Sequence, residues 1–483
     1  MATLLYLISM SPPDMKERLH PIRRLYRQYL ARYAWARRIK SVVLGAWSNS
    51  RHVWRVIAGP LRYHIQGVLY TISQHLEAYS PAAARLARRM QQYLGARLSF
   101  FSMVSWPEYC ATDKVAIYAL APAETVALTM PSVYPEYHRQ RFHSGVWTTV
   151  VPAVQAIEIP DAEVMGGCDF VFTRTQCLHH DLYKFERDLP AEELHGMIIA
   201  YRRKNLVARY AKAHEPLETI SEAISLIGSA SANYVHWLTE TAPKLALIDE
   251  VENLRGLPLI IDANLHPNIL ESLHWLNANG RKLIPLKQGQ ICKVDKLVSI
   301  TPVAYVPFDY LRGIKPESLK IDPSWAMFVP CGLHMLRQKL LPLLADGKNV
   351  PGRRLFLRRT SQLRQMRNAK EVEAALLDLG FQTIEPESFS FSEQVDLFST
   401  AEIIVAQAGA SLGNMIFAPE GCHVVILSAW SPFSIYYYFS NLASILGQRC
   451  SYVLCNPDKT DHAHPAHKGL DVDIHTLREA IGQ

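Results

Sequence analysis

The sequence has no run of about 18 or more apolar residues, the length that a membrane-spanning helix requires, so no spanning segment is expected. Its opening, MATLLYLISM, lacks the basic flank of a secretory signal, and the expectation is a cytoplasmic protein. It also lacks any CxxC pair. The eight cysteines (Cys110, Cys168, Cys177, Cys292, Cys331, Cys422, Cys450 and Cys455) are scattered, which argues against a disulfide framework and a thiolate zinc site and predicts reduced, buried thiols. No GxGxxG follows a predicted strand, which disfavours a dinucleotide-binding dehydrogenase. Internal repeats and low-complexity tracts are missing too. What remains is a 483-residue chain, 49% apolar, long enough to bury two or three cores, as a multidomain enzyme would.

Acidic residues are scarce in one segment only. The first hundred residues hold 16 Lys and Arg against 3 Asp and Glu, whereas the rest hold 35 against 41, so the formal net charge of +7 belongs to the N-terminal part. Within PIRRLYRQYLARYAWARRIK, the residues Ile22, Leu25, Tyr26, Tyr29, Tyr33 and Ala36 fall on one helical face, with Arg23, Arg24, Arg27 and Arg38 largely off it. Such a basic amphipathic helix suits an anionic membrane surface, or docks on its own catalytic body with a solvated basic side. No nucleic-acid motif accompanies it, and no nucleic acid is expected as a partner.

Past residue 100 the texture changes. Short β-branched and aromatic runs over 115–185 predict strands, and from 217 helices and strands alternate, which predicts an α/β fold with parallel strands. The pattern gives a helix at 234–254, a strand at LPLIID and a helix at HPNILESLHWLNANG, then strands near KLIPL and KVDKLVSI. A second unit opens at RRLFLRR and runs through helix NAKEVEAALLDLGF, strand QTIEP, helix SFSEQVDLFSTA, strand EIIVAQ, a turn at AGAS and strand CHVVILS. PLLADGKNVPG reads as a hinge between the units. The expected organisation is a basic helical extension at 1–105, an acceptor-side domain at 106–345 with a strand-rich start, and a donor domain at 346–483. Ligands of open α/β sheets bind at the carboxyl ends of strands, so function is sought there.

Three motifs stand at such ends. FLRRTS sets Arg358, Arg359, Thr360 and Ser361 just past a strand, where guanidinium forks and hydroxyls suit phosphate; a basic, solvated strand end is the bland alternative. In VAQAGASLGNMIF, Gly409 lets a backbone approach a ligand, and the amides of Ala410, Ser411 and Leu412 can face a pyrophosphate at a helix N-terminus. Asn414 sits one turn into that helix, within reach of a sugar or ribose hydroxyl, or else serves as a cap. In SANYVHWLTETAPKLALIDE, helical spacing puts Asn233, His236, Trp237 and Glu240 on one face. A carboxylate four residues from an imidazole can orient it and raise its basicity, as a general base requires, and Trp237 offers a surface for a sugar ring. A core histidine satisfied by its neighbour is the plainer reading. HxxxE alone is too little for a metal site.

Taken in order, NYVHWLTETAPKLALI, RRLFLRRTSQLRQMRNAKEVEAAL, the stretch from GFQTIEPESFSFSEQVDLF to GCHVVIL, and YYYFSNLASILG resemble glycosyltransferase family 61 over about residues 150–455. The likeness is nearest to its bacterial capsular-polysaccharide enzymes. It implies a GT-B fold with the donor nucleotide in the C-terminal Rossmann-like domain, and an inverting transfer with no bound metal and no cofactor beyond the nucleotide-sugar co-substrate. The acceptor would be a glycan or glycolipid, and the location cytoplasmic and peripheral on the inner membrane. On the family's pattern His236 and Glu240 are catalytic. Arg358, Arg359, Thr360, Gln394, Gly409, Ala410, Ser411 and Asn414 fall on the donor side, with Arg367 and Asn368 in its arginine-x-asparagine region. Asn233, Tyr234 and Trp237 fall on the acceptor side. Two positions depart from the eukaryotic pattern: Ala408 stands where a histidine precedes the glycine, and Ile426 where an acid follows the next strand. The expectation is therefore a glycosyltransferase, and these losses lend some weight to the alternative, a non-catalytic sugar-binding component of membrane-surface polysaccharide assembly.

Overall fold

The computed structural model describes residues 97–482 apart from 113–114, 181, 184, 186–187, 189, 195–196, 212–216, 307–322, 346–351, 361–363, 432–433 and 458–467. The basic helix expected at 21–40, most of the expected extension, Ser361 and the centre of the expected hinge lie outside the described residues. No described helix is long and apolar enough to cross a membrane.

The protein is mixed α/β, built on two large sheets. Among the described residues the first has eleven strands. One parallel portion runs Leu283–Leu286, Leu259–Asp262, Ile220–Ser225, Ile291–Ile300, the chain order 3-2-1-4. Leu259–Asp262 is fully buried and Ile291–Ile300 largely so, and both are rich in Ile, Leu and Val, as strands covered on both faces must be. Beyond Ile291–Ile300 the sheet continues antiparallel into the long strand Val154–Met165, in register from Ile291 opposite Met165 to Ile300 opposite Ala156. The strand Arg97–Ser105 also joins this sheet, pairing from Ser102 onward, so strand structure begins before the expected boundary at 105.

The second sheet has seven strands among the described residues, of which Gln382–Ile384, Arg353–Leu357, Ala401–Gln407, His423–Ala429 and Arg449–Pro457 are parallel in the chain order 2-1-3-4-5. Both orders reverse direction once. The reversals fall between Ile220–Ser225 and Ile291–Ile300 in the first sheet, and between Arg353–Leu357 and Ala401–Gln407 in the second. At such switch points the loops leaving neighbouring strands part to opposite faces and open a crevice.

One apolar cluster is continuous from Ile224 and Leu259 through Trp237, Leu238 and Leu245 to Leu357, Phe391 and Phe417. Smaller clusters cover the outer faces of the two sheets. The expected helix at 234–254 is shorter and irregular. It consists of Tyr234–His236, a π-turn Trp237–Thr241 and Ala242–Ile248. The cause is Pro243: it has no N–H to give the carbonyl four residues back, and the Ala242 amide bonds to Trp237 O, five residues back. The expected hinge starts later than PLLADGKNVPG suggests, because helix Pro330–Leu344 tolerates Pro342 in its last turn.

Candidate active site

A cavity of about 1140 Å³ opens at both switch points. Its walls come from the loops after Ser225 and Ile300, the helix that starts at Tyr234, and the loop after Gln407. Asn233, His236, Glu240, Gly409 and Ala410 line it.

His236 and Glu240 meet as their spacing predicts. Nδ1 of the imidazole lies 2.5 Å from Glu240 Oε1, and both side chains are half-buried. Burial alone would lower the histidine's pKa, but the charge and hydrogen bond of Glu240, helped by Asp169, outweigh it and raise it above the ordinary value. The Tyr438 ring packs edge-on at 5.6 Å, and its hydroxyl bonds Thr239 Oγ1 at 2.7 Å, so the imidazole is held from two sides.

Asn233 and Trp237 do not share that face. Asn233 stands before the helix in extended conformation and caps it, its Oδ1 accepting the Val235 amide at 3.2 Å, while its exposed side lines the cavity. Trp237 is fully buried and donates Nε1–H to Ser272 Oγ at 2.8 Å. Adjacent helix positions differ by about 100°, so when His236 faces the cavity Trp237 must face the core. The sugar-stacking surface expected on Trp237 is thus not available in this geometry.

Tyr234, Gln394 and Asn414 form a chain inside the protein. Tyr234 donates its hydroxyl to Asn414 Oδ1 at 2.7 Å, and Asn414 Nδ2 donates to Gln394 Oε1 at 2.5 Å. Gln394 in turn donates to the carbonyls of Pro386 and Phe389. Asn414 is fully buried in a 3₁₀ helix, Ala410–Phe417, and its groups are spent on protein partners rather than on the cavity. The chain fixes the helix at Tyr234 against that 3₁₀ helix. Gly413 makes the approach possible, since a Cβ there would lie 3.2 Å from Val235 Cα.

Of the paired arginines, only the second lies against the turn at Gly409. Arg358 is exposed and bonds Glu385 and Glu373 on the outer surface. Arg359 reaches the turn after Gln407, where a Cβ on Gly409 would fall 2.5 Å from its Nη1. Thr360 is exposed and Ser411 half-buried. None of Arg358, Arg359, Thr360 and Ser411 lines the cavity.

Sequence reasoning missed Arg364. It adopts φ of +56°, lines the cavity, donates Nη1–H to Ala408 O at 2.6 Å, and accepts at its own carbonyl the Gln407 side-chain amide at 2.7 Å. Its buried Nε has no hydrogen-bond partner among the described residues. Burial lowers the pKa of both Arg359 and Arg364, and the charge of Arg359 lowers that of Arg364 further. Two guanidinium groups repelling each other across one glycine-bearing turn form an arrangement that an anion would relieve. No local pattern marks Arg364 in TSQLRQMRN; only its return to the strand end does.

Asp262 was missed as well. From the end of its strand it accepts the Gly167 amide at 2.5 Å, the Gly228 amide at 3.0 Å and the Ser231 hydroxyl, tying together the loops after Met165 and Ser225.

Residues 234–425 match the family model described as Glycosyltransferase 61. No curated protein matches the chain.

Proposed function

The matched region, residues 234–425, belongs to glycosyltransferase family 61, and from that premise we propose that this chain is an inverting glycosyltransferase acting in the cavity between the two switch points. The observation that carries the reading is that one cavity joins an oriented imidazole, His236 with Glu240, to a basic turn at Arg364 and Gly409 with Arg359 behind it. Direct displacement at a sugar carbon needs both: a base for the hydroxyl proton and fixed positive charge for the departing phosphate.

In the proposed reaction an acceptor hydroxyl attacks the anomeric carbon of a nucleotide sugar. The new C–O bond forms as the bond to the phosphate oxygen breaks, and the nucleotide leaves with both electrons of that bond. His236 takes the acceptor proton. Because Nδ1 is engaged by Glu240, Nε2 carries the free lone pair, and the neighbouring carboxylate stabilises the imidazolium that results. Arg359, Arg364 and the amides at Gly409 and Ala410 meet the charge on the leaving group. On this reading no metal or other cofactor is needed. The donor side corresponds to the second sheet and the acceptor side to the first, a GT-B arrangement with donor residues 346–483 and acceptor residues 106–345. Tyr234, Gln394 and Asn414 position the two walls, and Arg358 and Trp237 serve the fold.

We assign the acceptor to glycans or glycolipids of bacterial capsular or other surface polysaccharide, made at the cytoplasmic face of the inner membrane. Incubation with a panel of nucleotide sugars, reading nucleotide release with and without acceptor glycans, tests the activity. Acceptor-stimulated release from one donor is expected. Donor binding with no release from any donor would identify the non-catalytic sugar-binding alternative instead.

A further inference from the structure

The ionisable side chains that line the cavity are sorted by side. From the first-sheet side come three carboxyls, Asp169, Glu192 and Glu240, together with Lys244, His180 and His236. From residues 346–483 come Arg364 and Lys468, and among the described residues no carboxyl joins them. One end of the cavity is therefore basic and the other rich in acid. Lys468 has no part in the reaction above. It stands past the end of the family match at residue 425 and outside every motif read from the sequence.

The backbone carries Lys468 to the Arg364 turn. Leu470 N–H donates to Gln365 O at 2.9 Å, and Leu470 O accepts the Arg367 amide at 3.0 Å, so Leu470 forms a parallel bridge with Met366. Two residues farther on, Asn368 continues the pairing: its Nδ2 donates to Val472 O at 2.8 Å and its Oδ1 accepts the Val472 amide at 3.1 Å. Two residues back from the bridge on either chain stand Arg364 and Lys468, and both line the cavity. The acids next to Lys468 in sequence are engaged elsewhere: Asp471 pairs with Arg367 at 3.7 Å, and Asp473 caps the helix Ile474–Ile481. Among the described residues no carboxylate or carbonyl bonds the ammonium of the half-buried Lys468, and the buried Nε of Arg364 has no hydrogen-bond partner.

Two cations brought to one glycine-bearing turn, each short of an acceptor, call for an anion with several oxygens. A single carboxylate carries two oxygens and one charge, enough for the Arg364 fork alone. A diphosphate carries non-bridging oxygens on two linked phosphorus centres, so a planar guanidinium can take one phosphate in paired bonds while an ammonium, a compact point charge, takes the other. We propose that Lys468 binds the diphosphate of the donor together with Arg364. The proposal rests on the glycosyl-transfer reading of the same cavity and adds to it a contact from outside the region that matches the family. As the bond between the sugar and the phosphate oxygen breaks, its electrons stay on that oxygen, and the ammonium meets the new charge without giving up a proton.

The test uses the full chain and two readouts. The first is calorimetry with a panel of nucleoside diphosphates, the matching nucleosides and inorganic pyrophosphate. One nucleoside diphosphate is expected to bind best, and Lys468→Met should weaken it about tenfold to a hundredfold, the size of a charge-assisted hydrogen bond, while leaving the nucleoside's weaker binding unchanged. Lys468→Arg keeps the charge and should recover most of that loss, and added salt should reduce native affinity more steeply than that of Lys468→Met. The second readout needs no variant, so a substitution that fails to fold leaves it intact. Acetylation of native protein, mapped by peptide mass spectrometry, should modify Lys468 in the free chain and in the presence of nucleoside but spare it when the diphosphate is bound. Native diphosphate affinity in a folded Lys468→Met variant, or labelling of Lys468 undiminished by the diphosphate, overturns the contact. A loss shared equally by the nucleoside marks a structural role and overturns it too, and pyrophosphate binding as tightly as any nucleoside diphosphate would make this an inorganic-anion site instead. Nucleotide release is read on the same preparation. Acceptor-stimulated release alongside any of those results refutes the Lys468 contact alone, and a native chain that neither binds a nucleotide nor releases one refutes the transfer reading with it.

Discussion

Substituting Gly409 by alanine separates the basic turn from the fold that carries it. The backbone at Gly409 is extended, with φ 177° and ψ 178°, a conformation open to any residue, so alanine introduces no backbone strain. The added Cβ would lie 2.5 Å from Arg359 Nη1, closer than two such atoms can approach. The guanidinium is the far end of a flexible side chain and can swing away, so the thermal midpoint should move little. The arginine would then no longer reach a phosphate at the turn. Losing one charge-assisted hydrogen bond costs about 1.5–3 kcal/mol, which is about tenfold to a hundredfold in nucleotide affinity. Calorimetry with the nucleoside diphosphate of the active donor measures this, beside a thermal melt. Native affinity in the Gly409→Ala variant, with the fold intact, would show that Arg359 and this turn do not hold the donor. A large fall in thermal midpoint would show that the turn serves the fold first.

Four further outcomes follow from other residues. Asp262→Ala removes three hydrogen bonds to a charged acceptor and should destabilise the protein by on the order of 3 kcal/mol, read by urea unfolding, while an effect below about 0.5 kcal/mol would refute its role in clamping the loops. Trp237→Ala should cost about 3–5 kcal/mol of stability, as truncation of a buried aromatic does, and Trp237→Phe much less; unaltered stability with weakened acceptor binding would return the indole to the ligand. His236 must be neutral to act as base and its pKa is raised, so the acid limb of kcat/KM should fall above the ordinary imidazole value of about 6.5 and move down in Glu240→Gln, whereas an acid limb unmoved by that substitution would refute the coupling. Glu271 loses to burial but gains more from Ser392 and the amides of Phe391 and Ser392, so its pKa is lowered. That stability is present above the unfolded glutamate value of about 4.3 and lost as pH falls through the lower folded value, so Glu271→Gln should narrow the difference between native stability at neutral and at acid pH. An undiminished difference in the variant would exclude Glu271 as its source.

The parts of this site legible in the sequence were those fixed by short-range spacing. His236 and Glu240 stand one helical turn apart, and the glycine after EIIVAQ sits at a strand end; period and turn chemistry suffice for both. Trp237 was misread because four positions within eight residues were assigned to one face, although neighbours on a helix diverge by about 100°. The Pro243 π-turn lay in plain view but offsets the helix only in ways that coordinates reveal. Asn414 and Gln394 look like ligand-facing amides in sequence. Burial turns them inward, because a buried amide must find protein partners. Arg364, Asp169 and Lys244 had no local signature at all. They come from three separate segments, and only the two switch points bring those segments to one cavity.

The central claim is that His236 removes the acceptor proton in a cavity whose opposite wall holds the leaving nucleotide. Turnover of native protein, His236→Ala and Glu240→Gln at saturating donor and acceptor tests it most directly. The account predicts a fall of about 10²–10⁴ fold for His236→Ala with nearly unchanged donor affinity, and a milder fall for Glu240→Gln, whose amide oxygen still accepts the imidazole N–H. Abolished turnover in Glu240→Gln, with most activity kept in His236→Ala, would contradict it and make Glu240 the base.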